Sequence, residues 1–273
     1  MVRKLFKHEA IYYARTLLIF EIILFSLAIS TRFIMFFEFD HWVYRFIQGS
    51  SFVLFGLAAI ACIYASLAMS IVRFYRNLFS QEGYLTFALP VSTNQHILVK
   101  LVSAFVYQGI TAVSIIIASL ITISGDFLNE LLKAGWFLLN KVLEEISFKD
   151  GVNIVIYFVY FLLFLLLASI YSLLIFYACI TIGQTAKKNR ILAAVGCYFG
   201  YNIAVEIIST FFSIAINIVL TTVNIDKFYQ FFENNTHLCL HIIFIALIVW
   251  TLVLNIAFYI VIYKIISKKL NLE

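Results

Sequence analysis

Six apolar stretches, each long enough to cross a bilayer, recur along this chain, and nothing else in it narrows the choice of fold so severely. Their approximate limits are 17–37, 46–72, 97–123, 152–182, 191–220 and 239–263. A hydrocarbon core of about 30 Å is crossed by roughly 20 apolar residues in a helix, so each stretch suffices. Composition supports the same reading. Of 273 residues, 64% are hydrophobic and 12% charged, and the mean hydropathy is +1.02, whereas a soluble domain averages roughly 45–50% apolar and 25% charged. A soluble fold of this size hides only about three quarters of the surface its unfolded chain exposes, so lipid is needed to cover the rest. The expected fold class is an all-α integral membrane protein with six transmembrane helices in one domain, residues 1–273. No internal repeat or low-complexity linker interrupts it.

The segments between the spans carry the polar residues. Residues 2–16 mix Arg3, Lys4, Lys7 and Arg15 with Leu5, Phe6, Ile11, Tyr12 and Tyr13, which predicts a helix lying in the membrane interface, too polar to span. No small-residue cleavage site follows the first apolar run, so that span is expected to be retained. Glu38, Asp40, His41 and Trp42 make a short turn. Residues 125–151 set Phe127, Leu128, Leu131, Leu132, Trp136 and Phe137 against Asp126, Glu130, Lys133, Lys141, Glu144 and Glu145, the pattern of an amphipathic surface helix. The N-terminus, the loops after the second and fourth spans and the C-terminal tail together hold about two thirds of the 19 lysines and arginines; the positive-inside rule puts those segments, and both termini, in the cytoplasm. Most of the 14 acidic residues fall on the opposite side.

The segment from Arg73 to Gln95 holds the only proline, Pro90, and separates the second and third spans. Arg73 and Arg76 close the preceding run, large side chains then alternate with polar ones around Gly83, and Ser92 with Gln95 fits a capping box that starts the next helix. Gly83 suits a tight bend or a close approach, and Pro90 suits the end of the segment.

Motifs for chemistry within the chain are lacking. There is no G-x-x-x-x-G-K-[ST] loop and no H-E-x-x-H, so neither nucleotide cradling of the P-loop kind nor zinc-protease chemistry is expected, and no catalytic residue is assigned. Cys62, Cys179, Cys197 and Cys239 lie in or beside apolar runs without close pairing and read as buried thiols. His237 and His241 are four apart, a spacing that brings two imidazoles to one helix face, but no carboxylate or thiolate is aligned with them and no metal site is expected. Glu206 lies deep in the fifth span and Glu21 in the first. A lipid-facing charge costs at least about 2.5–3.5 kcal/mol, so each is expected to face protein or water. Glu206 then reads either as a lining or proton-linked group of a pathway or as a structural partner of Asn202. For Glu21, reaching toward the interface is the simpler reading.

The residues Phe74-Tyr-Arg-Asn-Leu-Phe-Ser-Gln-Glu-Gly-Tyr-Leu-Thr-Phe-Ala-Leu-Pro-Val-Ser92, followed by Lys100, resemble a segment of permease subunits in bacterial type-two ATP-binding cassette exporters. The resemblance is most specific at Glu82-Gly-Tyr-Leu-Thr86 and Leu89-Pro-Val-Ser92, and the six-span layout is similar. It implies a permease of the bacterial cytoplasmic membrane that pairs with a second, identical or related permease and meets a separate ATPase subunit through its N-terminal interfacial helix and first cytoplasmic loop. ATP and Mg would be held by that partner, with no cofactor on this chain and no nucleic-acid partner. Arg76, Phe79, Glu82, Gly83, Tyr84, Leu85, Phe87 and Pro90 would form the coupling surface. A short helix bearing Phe79, Tyr84, Leu85 and Phe87 with Arg76 and Glu82 is suited to a groove of an ATPase and to rigid-body rocking of the attached spans. Implied substrates are amphipathic or antimicrobial peptides or other hydrophobic compounds. The alternatives are a proton-coupled secondary transporter using Glu206, and a membrane scaffold or sensor.

Overall fold

A lipid-facing backbone must satisfy its own hydrogen bonds, and a helix does so within a single segment. The computed structural model follows that requirement; it describes residues 2–37, 39–80, 83, 84, 88, 90–123, 125–145, 148–222 and 235–269. Among these, the chain forms α1 (Val2–Phe36), α2 (Trp42–Phe79), α3 (Thr93–Ile123), α4 (Asp126–Glu145), α5 (Phe148–Gly183), α6 (Arg190–Thr222) and α7 (Thr236–Lys269). No strand occurs among the described residues. All but α4 are long and apolar enough to cross a membrane, in agreement with the all-α, six-span expectation.

Two boundaries differ most from the sequence reading. Residues 2–16 are not a separate interfacial helix: α1 runs unbroken from Val2 to Phe36. Of the charges in its N-terminal part, Glu9 is buried and paired with cations of α2 and α3, a compensation that a hydropathy scan of one segment does not register. Likewise α2 continues past Val72 to Phe79, about two further turns, so the segment beginning at Arg73 starts as helix. At about 1.5 Å per residue, the 38 residues of α2 reach well beyond the ~30 Å hydrocarbon layer.

The chain divides into two compact units, Met1–Ile146 and Ser147–Glu273. In the first, α1, α2 and α3 pack against one another around Leu24, Ala28, Phe55, Cys62 and Ala118, with Phe20, Ala58 and Ala59 beside them. The alanines matter because helices in lipid gain nothing from excluding water and depend on close backbone approach and polar ties. Those ties are visible: Thr31 Oγ1 donates to Ser51 O at 3.3 Å, and the Tyr44 hydroxyl donates to Phe37 O at 2.6 Å and also to Ile34 O. α4 begins after Gly125, whose φ of +117° is a backbone conformation that glycine adopts and L side chains rarely do; the Arg32 guanidinium packs beside it, Nη2 lying 2.7 Å from where a Cβ would stand. Trp136 and Phe137 of α4 are exposed, consistent with the amphipathic pattern.

In the second unit α5 packs against both α6 and α7, with Leu173, Leu174, Tyr177, Ala178, Ile262 and Ile266 buried. Asn255 Nδ2 donates to Leu167 O at 3.0 Å. The α5–α6 connection turns through Asn189, at φ 53°, a left-handed conformation that asparagine tolerates. His237 and His241 lie against Tyr157, whose hydroxyl meets His237 Nδ1 at 3.0 Å and whose ring centre is 5.0 Å from that of His241. Among the described residues no group of three metal-binding side chains forms.

Candidate functional site: a buried charge cluster at the base of the first connecting loop

The C-terminal end of α2 and the N-terminal end of α3 flank the loop singled out by sequence, and both turn charged side chains inward. Glu9 of α1 lies between them, 4% exposed. Its Oε2 accepts from Arg73 Nε at 3.0 Å; its Oε1 accepts from Asn77 Nδ2 at 2.9 Å and from Lys100 Nζ at 2.9 Å. Arg73 and Asn77 come from α2 at a spacing that puts them on one face, and Lys100 comes from α3, 3% exposed. One carboxylate thus ties three helices.

Charges this deeply buried persist only when paired and hydrogen-bonded. Here the pairing is dense: the Arg73 guanidinium also sits 4.0 Å above the Tyr12 ring centre, a cation–π contact that strengthens away from water. Tyr13, 2% exposed, stacks on Tyr107 with ring centres 5.1 Å apart, and the Tyr107 hydroxyl donates to Ala10 O at 2.7 Å. Phe74, Leu78 and Ile97 are fully buried, so the ionic core is enclosed by apolar and aromatic groups. The result is a rigid joint rather than a solvent-filled pocket.

The loop itself is partly described. Gly83 is buried and its N–H donates to Ser80 O at 2.7 Å. Phe79 is half-buried against Phe74, with ring centres 5.9 Å apart. Arg76, Tyr84 and Pro90 are exposed. Glu82, Leu85 and Phe87 lie outside the described residues. The capping box is present: the Gln95 N–H donates to Ser92 Oγ at 3.4 Å and the Ser92 N–H to Gln95 Oε1 at 3.3 Å, both long, where α3 begins.

The three intramembrane polar residues picked from sequence fall in different units. Glu21, half-buried, belongs to the first unit; Asn202 and Glu206, both exposed, belong to the second. Glu21 is not at a helix end, since α1 extends far to its N-terminal side. Asn202 Nδ2 donates to Tyr198 O at 2.8 Å rather than to Glu206. Residues 202, 206, 209, 210, 213 and 217 recur at helical spacing on α6, and Ser209 and Thr210 both donate to Glu206 O, at 2.9 and 2.8 Å. They form a polar stripe on an otherwise apolar helix.

Sequence reasoning did not single out Glu9 or Asn77, and it noted Lys100 only as a residue following the motif. One signal was there: a lone acid among Arg3, Lys4 and Lys7, and a lysine inside the third apolar run. Opposite charges inside different spans are candidates for each other. No protein-family model, curated protein sequence or solved structure matches this chain.

Proposed function

We propose that this chain is the membrane-spanning permease subunit of an ATP-driven exporter. Its first connecting loop would receive a separate ATPase, and a second copy or a related permease would complete the pathway. The observation that carries this reading is the Glu9 cluster. Arg73 and Asn77 stand just before the loop and Lys100 just after it, and all three bond to one carboxylate of α1. A force applied to the loop is therefore delivered to α1, α2 and α3 together rather than dissipated in a flexible connection. Exposed Arg76 and Tyr84 and half-buried Phe79 are the described groups through which an ATPase would grip; Glu82, Leu85 and Phe87 complete that surface in this reading.

The positive-inside distribution supports a cytoplasmic loop and cytoplasmic termini in a bacterial plasma membrane, the side on which ATP is available. The chain has no P-loop, so hydrolysis, with ATP and Mg, is assigned to the partner. The polar stripe of α6 around Glu206 is assigned to the pathway, because an exposed intramembrane carboxylate needs water or a polar partner. Substrates suited to so apolar a path are amphipathic peptides and other hydrophobic compounds.

The test is affinity purification in mild detergent from the native membrane, followed by ATPase assays of the reconstituted complex. An ATPase bearing a P-loop should co-purify, and Phe79→Ala, Glu82→Ala and Tyr84→Ala should each uncouple hydrolysis from transport. Intact coupling in all three variants would refute the assignment. Transport in vesicles containing this chain alone, driven by a proton gradient and lost in Glu206→Gln, would instead favour a proton-coupled carrier.

A further inference from the structure

The second unit holds two thiols that sequence separates and packing joins. α5 and α6 run antiparallel, and their register can be followed rung by rung. Tyr171 meets Tyr201, hydroxyl to hydroxyl at 2.6 Å. Phe176 stacks on Tyr198 with ring centres 4.8 Å apart. Nearest the connection, Gly183 faces Ala194 so closely that a Cβ on the glycine would fall 2.6 Å from the Ala194 nitrogen and 2.7 Å from its Cα. Cys179 and Cys197 occupy the rung between the last two, and their thiols are neighbours across the helix pair. Helices that approach with backbone nearly touching at Gly183 have diverged little one turn away. A disulfide needs Cα atoms no more than about 7 Å apart, and the close approach at Gly183 brings the neighbouring rung toward that range.

We infer that Cys179 and Cys197 are a dithiol modification site, oxidised by a membrane-borne hydroperoxide to an interhelical disulfide. Both cysteines are free in the reduced protein, as are Cys62 and Cys239, and Cys179 and Cys197 face each other from α5 and α6 at one level. Their exposure sets the order of events. Cys197 is half-buried and Cys179 is 4% exposed, so the peroxide meets Cys197 first. The Cys197 sulfur attacks the peroxide oxygen, the O–O bond breaks, an alcohol leaves and a sulfenic acid forms. The Cys179 sulfur then displaces that hydroxyl, the S–S bond closes and water leaves. Overall two thiols and one hydroperoxide give one disulfide, one alcohol and one water, the thiols losing two electrons to the peroxide. The surroundings are apolar, so a lipid hydroperoxide reaches the pair where a polar oxidant does not. Closure fixes the α5–α6 register one turn from their connection.

The experiment uses the full chain in detergent or lipid vesicles, treated with cumene hydroperoxide and then unfolded and alkylated. The expected result is two alkylatable thiols remaining of the four present before treatment, an intact mass lower by two hydrogens, and a proteolytic fragment joining the Cys179 and Cys197 peptides. Cys197→Ser should abolish all three signs. Cys179→Ser should stop at a sulfenic acid on Cys197 that a dimedone probe captures, while Cys62→Ser and Cys239→Ser should behave as the unsubstituted chain. Retention of all four thiols in the unsubstituted chain, or a linkage joining any other pair, would overturn the inference, and because that measurement needs no variant it does not depend on how the substitutions fold.

Discussion

Replacing Glu9 by glutamine keeps the size of the side chain and removes the charge on which three helices converge. Lys100 is 3% exposed and cannot recover bulk water without displacing buried neighbours. Removing one partner of such a pair costs about 3–5 kcal/mol, because a charge is left buried without its counterion. At roughly 1.4 kcal/mol per tenfold, the folding equilibrium constant should fall by about two to three and a half orders of magnitude. The reverse change, Lys100→Met, should cost less. Glu9 keeps Arg73 at 3.0 Å and Asn77 at 2.9 Å, so the loss is that of one charge-assisted bond, about 1.5–3 kcal/mol. In the double variant the remaining cation, Arg73, has a side chain 18% exposed and retains the Tyr12 face, so it tolerates the loss of the carboxylate better than Lys100 does. The double variant should therefore be at least about 1.5 kcal/mol more stable than the sum of the singles implies, as expected for contacting residues. Reversible unfolding in mixed micelles with increasing dodecyl sulfate, followed by far-ultraviolet circular dichroism, measures all four species. Strict additivity, or a Glu9→Gln change within about 0.5 kcal/mol of zero, would refute the claim that the cluster holds the three helices together.

At the α5–α6 connection, Gly183→Val would drive side-chain atoms into the backbone of Ala194, where even a Cβ is only 2.6 Å from nitrogen; a loss of about 1–3 kcal/mol is expected, read as a lower thermal midpoint in detergent. At the start of α3, Ser92→Ala removes the Oγ that accepts from the Gln95 N–H, one half of a long, exposed capping box, while the backbone N–H at position 92 can still donate to Gln95 Oε1; it should cost no more than about 1 kcal/mol, measured by the same melt. On α6, Glu206→Leu removes a charge from near the middle of a helix that otherwise suits lipid, so insertion of the isolated segment into a translocon reporter should become more favourable by roughly 3 kcal/mol. An unchanged inserted fraction would show that Glu206 does not sit at membrane depth.

The spans were legible because their signal is local and redundant: any twenty residues of α5 announce a membrane helix by themselves. The capping box at Ser92 and Gln95 was legible for the same reason, since both partners lie within one turn. Glu9 was not. A hydropathy reading charges an acid the same whether it faces lipid or a lysine, and Arg3, Lys4, Lys7 and Arg15 made residues 2–16 look interfacial when they belong to α1. Arg73 was visible as a boundary marker, yet its role depends on a contact 64 positions away in the chain. The Cys179–Cys197 rung was hidden too. Its register is set by how closely Gly183 approaches Ala194, and spacing along one strand of sequence carries no information about that approach.

In lipid, apolar side chains gain little by leaving their surroundings for one another, so the ties between helices decide which parts move together. The first unit is tied at both ends, by the Glu9 cluster at one and by Thr31–Ser51 and Tyr44–Phe37 at the other. The second is tied unevenly. α5 holds α7 through Asn255 and the Tyr157–His237 contact, but it holds α6 through rungs that end at Tyr201, and every described side chain of α6 from Asn202 to Ile218 is exposed. The polar stripe around Glu206 begins where those rungs stop. α6 is thus anchored over its first turns and uncovered over the rest, and the uncovered part carries the residues least suited to lipid. A stable membrane protein must cover that face with water or with a polar surface, which is why the proposed function takes Glu206, rather than the better-packed Glu21, as its pathway carboxylate.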